Sequence, residues 1–153
     1  MMKITQKGEK ARELFLEGYT CAQSVAGAFA EEMGMPIDTV LRIAMPFGGG
    51  MGRLREVCGT FSGMVLVVGQ LYGDNIPKSP NKAQVYSIVQ KLAERFKAEY
   101  GTIICHELLG ELEARDTDPL KPSERTDGYY QKRPCAGVCA AAASILENYL
   151  SEI

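Results

Sequence analysis

The chain predicts an all-α fold, a single compact helical bundle of about six helices around a central apolar helix. Three observations carry that expectation. Apolar residues recur at offsets of three and four along most of the 153 residues. Glycine, proline and capping residues stand where those stripes end. The one run that suits a strand, "MVLVV", has no second such run to pair with, and a lone strand cannot satisfy its backbone. A length of 153 residues bounds the chain to one domain, residues 1–153. That size buries about 70% of the unfolded surface, so neither disulfides nor a metal are needed merely to hold the fold.

Taken in order, Ala11, Leu14, Phe15 and Gly18 space a first amphipathic helix, and Ala22, Val25, Ala26, Phe29 and Met33 a second. Pro36 opens a short helix carrying Val40, Leu41 and Ala44, which Pro46 ends. The segment Val57 to Tyr72 is expected as the central helix, apolar on all sides and enclosed by the others. Gly59 and Gly63 share one of its faces and let a neighbouring backbone approach closely. Val85, Ile88, Val89, Leu92 and Phe96 make the cleanest stripe, on a helix that Gly101 terminates. Thr102 is expected to cap a short helix in "GTIICHELLG". Val138, Ala141, Ala142, Ile145 and Tyr149 mark the last helix. The stretch 115–134, "RDTDPLKPSERTDGYYQKRP", is expected as a long loop, with Tyr129 and Tyr130 packing its far end onto something.

Composition excludes several functions. With 17 basic and 19 acidic residues the net charge is -2, which carries no nucleic-acid signature. The most apolar segment, Val57 to Leu71, is too short and too interrupted for membrane insertion. The N-terminal stretch lacks the apolar run of a secretory signal, so a cytoplasmic location is expected. In a reducing compartment five cysteines point to redox, catalytic or ligand roles more than to structural disulfides.

Four of the five cysteines fall at predicted helix starts. Cys21 follows Thr20, and "TCAQ" fits a capping box with Gln23. Cys58 follows the glycine turn, Cys105 lies in the short helix, and Cys135 follows Pro134. Unpaired N–H groups and the positive end of a helix both favour thiolate over thiol. The turn of Gly48, Gly49, Gly50 and Gly52 is placed to aim backbone N–H groups, with Arg53 and Arg55, at Cys58, the candidate for the most reactive thiol. Arg53, directly after the glycines, is the better functional candidate of the two arginines. Cys139 lies one turn beyond Cys135, where Cβ atoms about 5–6 Å apart exceed the roughly 3.8 Å a disulfide needs. A core or auxiliary role suits it.

The segment "CGTFSG", Cys58 to Gly63, resembles the signature of the redox-active family named C_GCAxxG_C_C. "GYTCAQSV", "FGGGMGR", "CHELLG" and a cysteine opening the last helix agree with it, from about Gly18 to the C-terminus. Thr60 replaces the motif's alanine, one small residue for another. The resemblance implies a redox role through Cys21, Cys58, Cys105 and Cys135, with Cys139 as the other candidate for the fourth cysteine. It supplies no substrate.

Three readings stay open on these residues. In the first, cysteines brought together by the fold cycle between dithiol and disulfide, or carry electrons, with an unidentified redox partner. An oxidoreductase activity fits this reading. In the second, Cys21, Cys58, Cys105 and Cys135 hold an iron–sulfur cluster, although no tight C-x2-C grouping occurs. Zinc is weaker for the same reason, and a c-type haem lacks its C-x-x-C-H. In the third, the chain is a helical binding module, a homodimer included, whose cysteines only pack and which needs no cofactor. The glycines match neither a P-loop nor a dinucleotide fingerprint. His106 points about 100° away from Cys105 around a helix and reads as a capping or solvent-facing residue. Asp116, Asp118 and Glu124 read as solvation of the loop.

Overall fold

The fold is all-α. The computed structural model describes residues 2–110 and 119–153. Among them lie nine α-helices: α1 (Gln6–Leu16), α2 (Cys21–Ala28), α3 (Ala30–Met33), α4 (Ile37–Ala44), α5 (Gly59–Tyr72), α6 (Lys82–Tyr100), α7 (Cys105–Leu109), α8 (Asp127–Lys132) and α9 (Cys135–Glu152). A 3-10 turn, Met45–Phe47, follows α4. The only extended pairing among the described residues is one antiparallel bridge between Val57 and Ile104. No helix among them is long and apolar enough to cross a membrane.

The seven helices traced in the sequence become nine among the described residues for two reasons. The expected second helix breaks at Phe29, whose φ of -108° and ψ of 13° leave the helical region and divide α2 from α3. The apolar stripe runs through the break unchanged, so periodicity does not register it. The second reason is α8, one short helix inside the stretch expected as loop. Thr126 caps it, its hydroxyl accepting from Tyr129 N at 3.1 Å. Residues 115–118 of that stretch lie outside the described residues.

The hub of the bundle is α2, not the helix after Cys58. Every residue from Ala22 to Ala28 is buried, and α1, α4, α5 and α9 all pack on α2. Its alanines, serine and glycine give it little bulk, and that small bulk lets four neighbours close around it. α5 is apolar but not enclosed: Val65 and Leu66 are half-buried, and Gly69 and Gln70 face solvent. Where α5 crosses α2, the missing side chains are required. A Cβ on Gly63 would sit 2.9 Å from Ala22 O and 3.0 Å from Val25 Cβ. The largest fully buried side chains are Phe15, Phe29, Phe96, Met64, Leu92 and Leu146.

Gly101 ends α6 with φ of 78°, as expected. Thr102 does not cap α7. Ile104 occupies that position, and Thr102 Oγ1 instead accepts from Ile104 N at 3.0 Å and donates to Glu107 at 2.5 Å.

Candidate functional site

The local sequence fixes where each thiol starts. At α2 the capping box forms: Thr20 Oγ1 accepts from Gln23 N at 3.2 Å, and Gln23 Oε1 accepts from Thr20 N at 2.9 Å. Gln23 Nε2 also donates to Leu41 O at 2.9 Å, tying this helix start to α4. Cys21 is therefore held at the first helical position. Cys135 takes the same position on α9, directly after Pro134. Cys58 and Cys105 are positioned together by the bridge. Cys58 N donates to Ile103 O at 2.7 Å, Cys105 N to Glu56 O at 2.6 Å and His106 N to Arg55 O at 3.2 Å. Those bonds stitch the starts of α5 and α7 side by side.

All four thiols line one cavity of about 320 Å³. Gly48, Gly49, Gly50, Gly52 and Arg53 line it as well, with Arg55, Arg125, Arg133, Phe15 and Tyr129. His106 and Glu124 are exposed and do not line it, and Asp116 and Asp118 lie outside the described residues.

The glycine turn is left-handed. Gly49, Gly50, Met51, Gly52 and Arg53 have φ of 64°, 70°, 70°, 54° and 63° in succession, and Arg55 has 60°. Non-glycine residues rarely adopt this region. Bonds from Gly52 N to Pro46 O (2.7 Å), Arg55 N to Gly49 O (3.1 Å) and Glu56 N to Gly50 O (2.9 Å) hold it closed. Two glycines admit neighbours that a side chain would displace. A Cβ on Gly48 would lie 2.7 Å from Thr20 Cγ2, and one on Gly50 the same distance from Cys105 Cβ. The turn is thus wedged between the starts of α2 and α7.

The thiols' protonation differs from the sequence expectation. Burial pushes the Cys58 thiol up to about 11, outweighing the Thr60 hydroxyl 3.1 Å from its sulfur. Arg55 Nη1 donates to Cys105 Sγ at 3.8 Å. Three further thiols influence one another's ionisation, with Cys135 and Cys139 both acting on Cys21. Cys135 is held far above the ordinary thiol value by its hydrogen bond to Cys21, then by burial and the nearby Cys21 charge, while Arg133 and Arg125 oppose this. At Cys21 the hydrogen bond from Cys135 favours the thiolate. Its bond to Cys139, burial and the neighbouring thiols together outweigh that, and Cys21 also stands well above the ordinary value. Burial raises Cys139. At Cys21, Cys58 and Cys135 the neighbouring thiols and desolvation outweigh the helix N-terminus, and these resting thiols are protonated.

Sequence reasoning missed Arg125. Its two guanidinium nitrogens donate to Phe15 O and Tyr19 O, both at 3.0 Å, at the C-terminal end of α1. The same group lies over the rings of Phe15 (4.2 Å) and Tyr129 (5.1 Å). Tyr129 and Tyr130 pack on Phe15, with ring centroids 6.4 and 6.0 Å away. An arginine in a polar stretch gives no periodic signal; the adjacent tyrosine pair was its one hint. Cys139 is fully buried and does not line the cavity, yet it acts on the ionisation of Cys21.

One family model matches residues 19–149, and its description reads "Putative redox-active protein (C_GCAxxG_C_C)". No curated protein and no solved structure matches the chain.

Proposed function

We propose that this chain, which belongs to the C_GCAxxG_C_C family of redox-active proteins, cycles Cys21 and Cys135 between dithiol and disulfide. The observation that carries this reading is that Cys21 and Cys135, at the starts of two helices, line the same cavity as Cys58 and Cys105. Both are half-buried, whereas Cys58, Cys105 and Cys139 are buried, so the pair is the most accessible to a partner.

The exchange balances as follows. The thiolate of one cysteine displaces a thiolate from the partner's disulfide and forms a mixed disulfide. The second cysteine, deprotonated in turn, displaces the partner's other sulfur and closes the Cys21–Cys135 bond. Two electrons and two protons pass to the partner, which leaves as two thiols. Protonated resting thiols keep the pair slow toward adventitious oxidants at neutral pH. Cys139, behind Cys21, is the auxiliary thiol.

The test is oxidation of the reduced protein in a disulfide buffer, followed by digestion without reductant and mass analysis of linked peptides. A Cys21–Cys135 link is expected. A Cys21–Cys139 link in its place would overturn the role given to Cys135, and no link at all would overturn the mechanism.

A second reading has its own observation. Four thiols from four separate helix starts face one cavity, the donor set of a four-cysteine iron–sulfur cluster. Among the described residues no three His, Cys, Asp or Glu side chains converge on a single-metal site; the donors are spread around a volume. Cys21, Cys58, Cys105 and Cys135 would hold the cluster, and it would supply one-electron transfer. Anaerobic purification with iron and acid-labile sulfide analysis decides it: stoichiometric iron and sulfide favour the cluster, and their absence from anaerobically prepared protein rejects it.

A further inference from the structure

We infer that the segment from Pro119 to Arg133 is a latched gate over the cysteine cavity, and that it decides how bulky a disulfide reaches Cys21 and Cys135. The inference rests on the dithiol reading for what passes the gate. Pro119, Pro122, Ser123, Arg125 and Tyr129 of this segment line the same cavity as the two thiols. The latch is a cluster of contacts with the C-terminal end of α1. Arg125 donates to Phe15 O and Tyr19 O, both at 3.0 Å, and Tyr130 Oη donates to Leu16 O at 3.3 Å. The rings of Tyr129 and Tyr130 pack on the Phe15 ring, which the Arg125 guanidinium covers at 4.2 Å.

Burial explains why such a segment can open alone. No residue from Pro119 to Pro134 is buried, and α8 adds none to the core, whereas every residue of α2 from Ala22 to Ala28 is buried. A segment with few buried contacts lies at the low end of local stability and opens without unfolding the rest. The bonds of Arg125 and Tyr130 therefore weigh heavily in holding it closed. With the gate closed, a cavity of about 320 Å³ is at the lower end of small-ligand sites and takes a small disulfide. A disulfide carried on a bulky partner has to displace the segment first. The exchange is the same in both cases: the disulfide is reduced to two thiols as Cys21 and Cys135 are oxidised.

The test labels the full-length reduced protein with N-ethylmaleimide or with a maleimide carrying a long polyethylene glycol chain. The rate at each cysteine is read by digestion and mass analysis of the thiols left unmodified. Each is divided by the rate of the same reagent with the unfolded protein. Comparing two maleimides at one thiol cancels its ionisation and leaves access alone. In the native sequence the small reagent is expected to exceed the bulky one by about tenfold or more at Cys21 and Cys135. Arg125→Met should raise the bulky rate at both thiols by about fivefold or more. Tyr130→Phe, which loses only the hydroxyl bond, should raise it by less. Cys139, fully buried and outside the cavity, should stay unlabelled in all three proteins. Equal rates of the two reagents in the native sequence, or a bulky rate unmoved in Arg125→Met, overturn the inference. A rise that includes Cys139 equally reports loosening of the whole fold and overturns it too. Labelling forms no disulfide, so these failures are distinct from failure of the dithiol reading, which shows as a missing Cys21–Cys135 link.

Discussion

Each of the four cavity thiols stands at or next to a helix start, where unpaired N–H groups favour the thiolate, yet Cys21, Cys58 and Cys135 are all raised above the ordinary thiol value. Cys58 is the clearest case. It is 6% exposed, and its thiol is pushed from the ordinary 9.0 up to about 11. The sign of the pH dependence follows. Between pH 9 and 11 the unfolded chain has lost this proton and the folded chain keeps it, so stability falls as pH rises. The contribution is complete below about pH 9 and amounts to about 2–3 kcal/mol. In the reduced, metal-free protein the urea midpoint is expected to drop between pH 9 and 11, and to drop less in Cys58→Ala. A midpoint that holds or rises over this range contradicts the burial argument. The placement of the thiols was legible because Thr20, Gln23 and Pro134 are local signals. Their ionisation was not, because desolvation is set by residues distant in the chain. Phe15 and Tyr129, which line the cavity alongside Cys21 and Cys135, lie over a hundred residues apart.

Among the helices, the crossing of α2 and α5 sets the geometry of the site, since Cys21 and Cys58 stand at their starts. Gly63 is the contact that cannot grow: Gly63→Ala must push Ala22 O and Val25 away, and should cost about 1–3 kcal/mol, seen as a lowered melting temperature. Gly69, on the exposed side of the same helix, has nothing within 4 Å of a built Cβ. Gly69→Ala should raise stability by about 0.5–1 kcal/mol. Equal effects from the two substitutions would contradict the packing described. The spacing of Gly59 and Gly63 announced this close approach. That α2 is the hub was not legible, because alanine and serine give a weak hydrophobic stripe even where they are wholly enclosed.

At the scale of the whole molecule, the site exists only because distant segments meet. No C-x-x-C pair occurs, so spacing alone does not say which thiols are neighbours. The bridge at Val57 and Ile104 joins two of them, and the packing of α1, α2 and α9 joins the others. Arg125 fastens the wall segment to the end of α1 through two carbonyl bonds and the Phe15 ring. Arg125→Met should lower stability by about 1–3 kcal/mol and speed proteolytic cutting between residues 119 and 133. Unchanged cutting would contradict its role as a fastening. The all-α class was legible from period alone, whereas α8 and Arg125 were not, since a six-residue helix in a polar stretch carries too little pattern.

The most direct measurement is a count of free thiols under denaturing conditions, before and after oxidation of the reduced protein by one equivalent of a small disulfide. From five cysteines, the account predicts a fall to three in the native sequence, with no intramolecular disulfide formed in Cys21→Ser or Cys135→Ser. Five thiols remaining in the native sequence, or the same fall in both variants, would contradict a redox pair at Cys21 and Cys135.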